Sequence, residues 1–272
     1  MNIDDLEKPF ATGRTAEIFA WQGDKVLKLF LPSIPVDWID QETETGRYIQ
    51  GAHLPVPKLY ERVTVSGREG LVYERVDGPS LLTELATRPW KVARSARLLA
   101  RLHAQVHEVK APAHLETQRE WARGIIGENE KLPLKLRQAV LKVLEGLPDG
   151  EQLCHGDFHP GNIIVTARGA VIIDWMTASR GTAAGDVART AIILEAAQPP
   201  PGTPMRWLIE WIRGQFRSAY LKSYFQIQPI APALFDAWRA VMAANFMEVC
   251  LPEEQEHLIS MIEAALNSGS QA

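Results

Sequence analysis

The residues of this chain with the clearest chemical potential lie between His155 and Asp174. A carboxylate at Asp157 is followed five positions later by an amide at Asn162, within the stretch His-Gly-Asp-Phe-His-Pro-Gly-Asn. A second carboxylate, Asp174, follows the apolar run 171–173. Phosphoryl transfer needs a positioned acceptor hydroxyl and cations over the phosphates, with little covalent help from the protein. This set of residues at this spacing therefore predicts phosphoryl-transfer chemistry.

Each of the three polar residues has a distinct predicted role. Asp157 can accept a hydrogen bond from the acceptor hydroxyl and later its proton. Asn162 offers a neutral oxygen to a metal, and Asp174 offers a charged one. Mg²⁺ commonly takes one or two carboxylates together with the phosphates of its substrate. We therefore predict Asp157 as the catalytic base, and Asn162 and Asp174 as metal ligands.

The alternative is that these residues only shape a loop. Taken singly, an Asp or Asn in a turn is more often a local cap than a catalytic group. The joint pattern is much rarer, because His, Asp and Asn each make up only a few per cent of residues. Two short strands are expected at 163–165 and 171–173, joined by a turn at 167–169, and they supply the context that such a motif requires. The functional interpretation is therefore favoured.

Composition excludes several classes of partner. The chain of 272 residues has a net charge of −4 and no stripe of Lys and Arg with interleaved aromatic residues, so we expect no nucleic-acid partner. No apolar run approaches the roughly 18 residues of a membrane span. The acidic start, 1–5, lacks the apolar core of a signal peptide. We therefore expect a cytoplasmic protein without a membrane partner, and the sequence leaves its oligomeric state open.

The predicted elements change in kind near residue 77. Before it, two hairpins are expected at 17–30 and 58–75, with a helix at 37–50 between them. After the breaker residues 77–80 the chain is mostly helical. The helices are expected at 90–109, 118–130, 134–144, 186–197, 204–225, 231–250 and 253–266.

This arrangement predicts an α+β fold of two lobes. Residues 1–76 would form a small antiparallel-sheet lobe that binds nucleotide and ends in a hinge. Residues 77–272 would form a larger helical lobe that holds the catalytic loop and the acceptor site. A ligand site is expected in the cleft between the lobes. Lys28 lies in a short apolar strand, where burial of its charge requires a partner, and Glu42 and Glu44 of the helix 37–50 are the candidates.

The chain resembles the aminoglycoside phosphotransferase and choline kinase-like family of small-molecule kinases, which have a protein kinase-like fold. The matching residues are Lys28, Glu44, Leu54-Pro55-Val56-Pro57, Asp77-Gly78, His155 to Asn162, Asp174-Trp175 and Gly185-Asp186. The resemblance implies ATP or GTP with Mg²⁺ as the donor and a small-molecule hydroxyl as the acceptor. It favours Glu44 as the partner of Lys28, with Glu42 as the fallback. Protein kinases fit less well, because no Ala-Pro-Glu segment follows Asp174.

In a fold of this kind, the turn 13–15 would cover the phosphates with backbone N–H groups. The carbonyl of Glu74 and the N–H of Val76 would hold adenine, and Tyr73 would form a wall of the pocket. The predicted nucleotide-binding residues are Gly13, Arg14, Thr15, Lys28, Glu44, Tyr73, Glu74 and Val76.

Three further residues are predicted to be structural. Asp186 is expected to cap the helix that follows it and to support the catalytic loop. His103 and His107 are spaced four apart on a helix and could hold a metal in principle. Because no third ligand lies near them in the sequence, we predict that they form a helix surface.

The acceptor is the least defined part of this prediction. Acidic and basic residues are mixed in the C-terminal helices, without the dense acidic rim that a polycation would favour. An unspecified small-molecule hydroxyl is therefore the first choice, and an aminoglycoside-type antibiotic is the alternative. A catalytically inactive nucleotide-binding scaffold is a further alternative, against which the intact Asp157, Asn162 and Asp174 argue.

Overall fold

The computed structural model describes residue 3 and residues 6–196 and 203–269. The predictions for most of the acidic start and for residue 197, the expected end of one helix, lie outside the described residues. The chain divides into two compact units. Unit 1 comprises residues 1–80 with 161–178, and unit 2 comprises residues 81–160 with 179–272.

The chain combines an antiparallel five-stranded sheet with a mainly helical part, which confirms the α+β class. In chain order the strands are β1 (Ala11–Thr12), β2 (Ala16–Trp21), β3 (Lys25–Phe30), β4 (Leu59–Val65), β5 (Arg68–Glu74), β6 (Gln152–Cys154), β7 (Ile163–Thr166), β8 (Gly169–Ile172) and β9 (Ser179–Gly181). The helices are α1 (Val36–Gln50), α2 (Leu81–Thr87), α3 (Val92–His107), α4 (Gln118–Glu128), α5 (Leu134–Gly146), α6 (Ala183–Ala196), α7 (Arg206–Ile227), α8 (Pro232–Phe246) and α9 (Gln255–Gly269).

Unit 1 is built on the sheet of order β1-β2-β3-β5-β4, in which all paired strands are antiparallel. Both predicted hairpins are present, and Gly23 and Gly67 take the positive φ values of 68° and 77° that their turns require. Side chains alternate between the faces of a strand. Leu27 and Leu29 therefore pack into one apolar cluster of the sheet, whereas Phe30 packs into another, which contains Ile39 of α1.

The hairpin β7–β8 belongs to unit 1, although the sequence placed it in the helical lobe. Its strands pair with Ile163 opposite Ile172. The N–H of Ile172 donates to the carbonyl of Pro55 at 2.7 Å, and the N–H of Val165 donates to that of Pro79 at 2.9 Å. These bonds connect the hairpin to segments from the first 80 residues, and this is why residues 161–178 group with unit 1.

Unit 2 is helical and carries its core around α6. Eleven of the fourteen residues of α6 are buried, and α6 packs against α7 and α8, while α3 packs against α7. A capping box starts α4, because the Thr117 side chain accepts from the N–H of Glu120 and the Glu120 side chain accepts in return. The predicted helices are all present, whereas α2 and the short strands β1 and β9 were missed. None of the described helices is long and apolar enough to cross a membrane.

Candidate active site

Lys28 lies between two carboxylates in unit 1. Its Nζ is 2.7 and 2.9 Å from the two carboxylate oxygens of Glu42, and 2.8 Å from Oδ1 of Asp174. Lys28 is 8% exposed and Glu42 is 2% exposed, whereas the Asp174 side chain is 40% exposed. The hydroxyl of Tyr73 donates to Oε1 of Glu42 at 3.1 Å. A charged lysine is therefore held between a buried carboxylate and one that solvent can reach.

The prediction that Glu44 pairs with Lys28 is wrong, and the fallback Glu42 is the partner. Buried residues of α1 recur at Ile39, Glu42, Gly46 and Ile49, which is the spacing of one helical face. Glu44 is two positions from Glu42, about 200° around the helix, and it is exposed. The phase of the apolar residues in α1 would have selected Glu42 from the sequence.

The electrostatics of this cluster follow from burial and charge. Burial alone would lower the pKa of Lys28, but the adjacent carboxylates of Glu42 and Asp174 more than offset it and raise the pKa above its usual range. Burial raises the pKa of the Glu42 carboxyl, and the Lys28 ammonium opposes that shift. The lysine therefore stays protonated at neutral pH, and two carboxylates share one buried cation.

Asn162 and Asp174 lie at the same end of the hairpin β7–β8. Ile163 pairs with Ile172, and the N–H of Ile173 donates to the backbone carbonyl of Asn162 at 3.0 Å. Asp174 has a φ of 66°, which is unfavourable for a residue with a side chain. Strained backbone of this kind is concentrated at functional sites. The fold thus brings Asn162 and Asp174 to one end of the hairpin, and both line the same cavity as Lys28.

These polar groups open into a cavity of about 630 Å³ within unit 1. Such a volume is within the range of about 300–1,000 Å³ that small-molecule sites occupy. Of the predicted nucleotide-binding residues, those that line the cavity are Gly13, Thr15, Lys28, Tyr73, Glu74 and Val76. Arg14 is exposed and lies outside the lining, and so does Glu44.

Asp157 belongs to unit 2. Its Oδ2 is 3.4 Å from Nε2 of His159, and its side chain is 36% exposed. Burial would raise the pKa of the Asp157 carboxyl, but the hydrogen bond and charge of His159, together with two further charges, outweigh it and hold the pKa at about 2. The charges of His155 and Arg189 act in the same direction. Asp157 is therefore ionised at neutral pH and available as an acceptor.

The backbone just before Asp157 is held by Asp186. This fully buried carboxylate accepts from the N–H of His155 at 2.6 Å and from the N–H of Gly156 at 2.9 Å. Asp186 thus supports the loop that carries Asp157, as predicted. It does not cap its helix, because α6 begins three residues earlier, at Ala183.

The prediction that His103 and His107 form a helix surface is wrong. Both are buried, and their Nε2 atoms are 3.0 and 3.2 Å from Oδ2 of Asp186. Their Nδ1 atoms are each 2.6 Å from a tyrosine hydroxyl, that of Tyr220 for His103 and that of Tyr224 for His107. Asp186 is the third ligand-type residue near them. Because hydrogen bonds use both ring nitrogens, we interpret the cluster as a support of Asp186.

The fold and the predicted site are those expected of a kinase-like phosphotransferase, and the family match agrees. The chain belongs to the phosphotransferase enzyme family, which matches residues 8–239. The membership makes the protein a small-molecule phosphotransferase, and the resemblance seen in its sequence is confirmed. Among curated proteins, none matches the chain by sequence.

Solved structures with this fold agree with that assignment. An aminoglycoside-3'-phosphotransferase of type VIII is 18% identical, with a TM-score of 0.61 over 88% of this chain and 92% of its own. A choline/ethanolamine kinase family protein from Mesorhizobium loti is 15% identical, with a TM-score of 0.65 over 98% and 92%. The amicoumacin kinase hAmiN, in complex with AMP-PNP, Ca²⁺ and Ami, is 14% identical, with a TM-score of 0.58 over 98% and 90%. These similarities confirm the predicted kinase-like fold.

Proposed function

We propose that this phosphotransferase moves the γ-phosphate of ATP, with Mg²⁺, to a hydroxyl group of a small molecule. The observation that carries the proposal is the placement of Lys28 between Glu42 and Asp174, in a cavity of about 630 Å³. A fixed ammonium in such a cavity suits a ligand with phosphate groups. The amicoumacin kinase structure, which holds AMP-PNP and Ca²⁺, supports the same choice of donor.

In this proposal the nucleotide occupies the cavity of unit 1. Lys28 would contact the phosphates, with Glu42 and the Tyr73 hydroxyl keeping its ammonium in place. The turn at Gly13 and Thr15 would cover the phosphates, and the backbone of Glu74 and Val76 would bind the base. Backbone contacts of this kind do not distinguish the base by side chain, so GTP is the alternative donor.

The oxygens of Asn162 and Asp174 suit a hard divalent cation. Mg²⁺ prefers oxygen ligands and uses few protein groups, and the hairpin supplies one amide and one carboxylate beside the cavity. When bound, Mg²⁺ would neutralise the charge of the phosphate oxygens. Asp174 would also keep its contact with Lys28, so the same carboxylate would orient both Mg²⁺ and the Lys28 ammonium.

Asp157 would act on the acceptor. Its carboxylate, ionised because its pKa is about 2, accepts a hydrogen bond from the acceptor hydroxyl and orients that oxygen toward the γ-phosphorus. The O–P bond to the acceptor forms as the bond between the γ-phosphorus and the bridging oxygen of ADP breaks. The hydroxyl proton then passes to the carboxylate. A base of such low pKa takes the proton late, after the new O–P bond has begun to form.

The acceptor is to be found with a panel of hydroxyl compounds, and ADP release is the measurement. An aminoglycoside-type acceptor is the second hypothesis, supported by the similarity to the aminoglycoside phosphotransferase structure, so aminoglycosides belong in the panel. We expect acceptor-dependent ADP release that needs Mg²⁺ and is lost in Asp157→Asn. Binding of Mg·ATP without turnover of any acceptor would favour the inactive scaffold. A cytoplasmic location stays a prediction.

A further inference from the structure

Both polar backbone groups of Gly156 are bound by side chains of α6. The N–H of Gly156 donates to Oδ1 of Asp186 at 2.9 Å, and its carbonyl accepts from Nε of Arg189. Asp186 and Arg189 are three positions apart, so they share one face of the helix. Gly156 has a φ of 78°, and it directly precedes Asp157. We call Asp186 and Arg189 the α6 pair.

Arg189 is itself fixed by two other helices of unit 2. Its Nη1 donates to Oδ1 of Asn245, in α8, at 2.6 Å. Its guanidinium carbon lies 4.6 Å from the centre of the Trp121 ring, in α4. Arg189 is 8% exposed. A planar guanidinium can donate in several directions and stack at the same time, which an ammonium cannot do.

The charge of Arg189 also acts on Asp157. It is one of the charges that hold the pKa of the Asp157 carboxyl below its ordinary value. A buried guanidinium is costly unless its hydrogen bonds and charge are used. The guanidinium of Arg189 donates these hydrogen bonds to the carbonyl of Gly156, which precedes Asp157, and to Asn245 of α8.

We propose that Arg189 is a positioning residue for Asp157, because it fixes the Gly156 peptide against α6 and connects it to α4 and α8. The inference rests on the proposed role of Asp157 as the base. It goes beyond that role because it identifies Arg189 as the group that fixes the position of the Asp157 carboxylate. Arg189 does not contact the reacting atoms in this proposal.

The first test compares turnover in Arg189→Met, Arg189→Lys and the wild type. Displacement of a catalytic group by about 1 Å can lower the rate by about 100-fold. We therefore expect kcat to fall by about 10- to 100-fold in Arg189→Met, while KM for ATP changes by less than about twofold, because the nucleotide cavity lies in unit 1. Arg189→Lys should recover part of kcat, since an ammonium can still donate to the Gly156 carbonyl.

Arg239→Met is the matched control. Arg239 also lies in unit 2, on α8, where its Nη2 is 3.4 Å from Oε2 of Glu195 and its Nη1 is 3.9 Å from Oδ1 of Asp236. We expect its kcat to stay near that of the wild type. A kcat of Arg189→Met equal to that of Arg239→Met would overturn the proposal.

Chemical rescue separates positioning from loss of folding. In Arg189→Ala, guanidinium chloride far below denaturing concentrations should restore part of kcat, because the free cation can occupy the vacated site. Methylammonium should restore less, since it cannot donate in the same directions. A loss of kcat in Arg189→Ala that guanidinium does not restore would count against the inference.

Amide hydrogen exchange keeps this inference distinct from the proposed function. The amides of Gly156 and Asp157 should exchange faster in Arg189→Met than in the wild type, and no faster in Arg239→Met. This readout needs no substrate. If the wild type transferred no phosphate, the proposed function would fail while exchange still tested the α6 pair. Unchanged exchange in Arg189→Met would overturn the inference alone.

Discussion

Lys28 and Glu42 form an ion pair in which either charge, left buried without its partner, would destabilise the folded protein. Both are buried, and the Tyr73 hydroxyl is bonded to the carboxylate. An exposed ion pair is worth at most about 1 kcal/mol, whereas removal of one partner of a buried pair costs about 3–5 kcal/mol. The burial of Glu42 decides which of these limits applies at this site.

We therefore expect Lys28→Met to lower the free energy of unfolding by about 3 kcal/mol at neutral pH. The variant leaves Glu42 buried without its cation, so its folded-state pKa rises further above its unfolded value. A group of this kind stabilises the fold below its unfolded pKa and loses that contribution as pH rises through the folded pKa. The loss of unfolding free energy in Lys28→Met should therefore grow as the pH rises above about 4.5. Urea unfolding at several pH values measures it.

Two further variants identify the partner of the lysine. Adding Glu42→Gln to Lys28→Met should recover part of the lost stability, because the buried charge is removed. Glu44→Gln, which changes an exposed carboxylate on the same helix, should leave stability within about 0.5 kcal/mol of the wild type. An equal loss of stability at every pH in Lys28→Met would contradict the pairing argument.

Asp157→Asn tests the base with little change of shape. General-base contributions are about 10²- to 10⁴-fold, so turnover of the acceptor should fall within that range. ATP affinity, measured by calorimetry, should stay unchanged, because the cavity lined by Lys28 and Asp174 lies in unit 1. Near-normal turnover in this variant would remove Asp157 from the mechanism.

Close backbone approach is the main constraint at the scale of elements. A Cβ added to Gly78 would lie 2.2 Å from the carbonyl oxygen of Val165, at the point where the hairpin β7–β8 meets the segment after β5. A Cβ added to Gly214, within α7, would meet nothing within 4 Å. Substitution of these two glycines by alanine should therefore have opposite effects on stability.

Gly78→Ala should destabilise the protein by about 2 kcal/mol or more, because backbone must shift to admit the methyl group. It should also weaken ATP binding, since the hairpin carries Asn162 and Asp174. Gly214→Ala should stabilise by about 0.5–1 kcal/mol through the higher helix propensity of alanine. Thermal unfolding of both variants measures this difference, and equal shifts in Tm would contradict the close approach.

Elements with a local signal were predicted well. Gly23 and Gly67 marked their turns, and periodic apolar residues located the long helices to within four residues at each end. Helix α2 and strand β9 were missed, because short elements depend on tertiary contacts more than on their own residues. The grouping of 161–178 with unit 1 depends on bonds to Pro55 and Pro79, which no local pattern records.

At the site, the roles of Asp157, Asn162 and Asp174 stay predictions from their spacing in the sequence. The choice of Glu42 required the phase of the buried residues of α1. His103 and His107 share the face of Ala96, Leu99 and Ala100, all of which are buried, and that phase would have placed them inside. Arg189 also left a signal, since it is the only Lys or Arg in the mainly apolar sequence of α6.

At the scale of the whole molecule, the fold is shared with proteins only 14–18% identical to it. Such low identity shows that most side chains can differ while the fold is kept. A shared fold does not identify the acceptor, so the sequence of this chain predicts the reaction class but not the acceptor.

The response of the whole fold to ligand tests the metal assignment. A ligand at about 100 times its Kd stabilises the native state by roughly 2.7 kcal/mol, so Mg·ATP should raise the Tm of the wild type. In Asp174→Ala the part of this shift that depends on Mg²⁺ should disappear, because the carboxylate proposed to bind the metal is gone. Loss of the contact between Asp174 and Lys28 lowers affinity as well, so each variant is measured with ATP in the presence of Mg²⁺ and of EDTA. Asp40→Ala, which changes an exposed carboxylate bonded to Arg62 outside the cavity lining, is the control and should keep the Mg²⁺-dependent shift. If Asp174→Ala keeps the same Mg²⁺-dependent shift as the wild type, Asp174 is not a metal ligand.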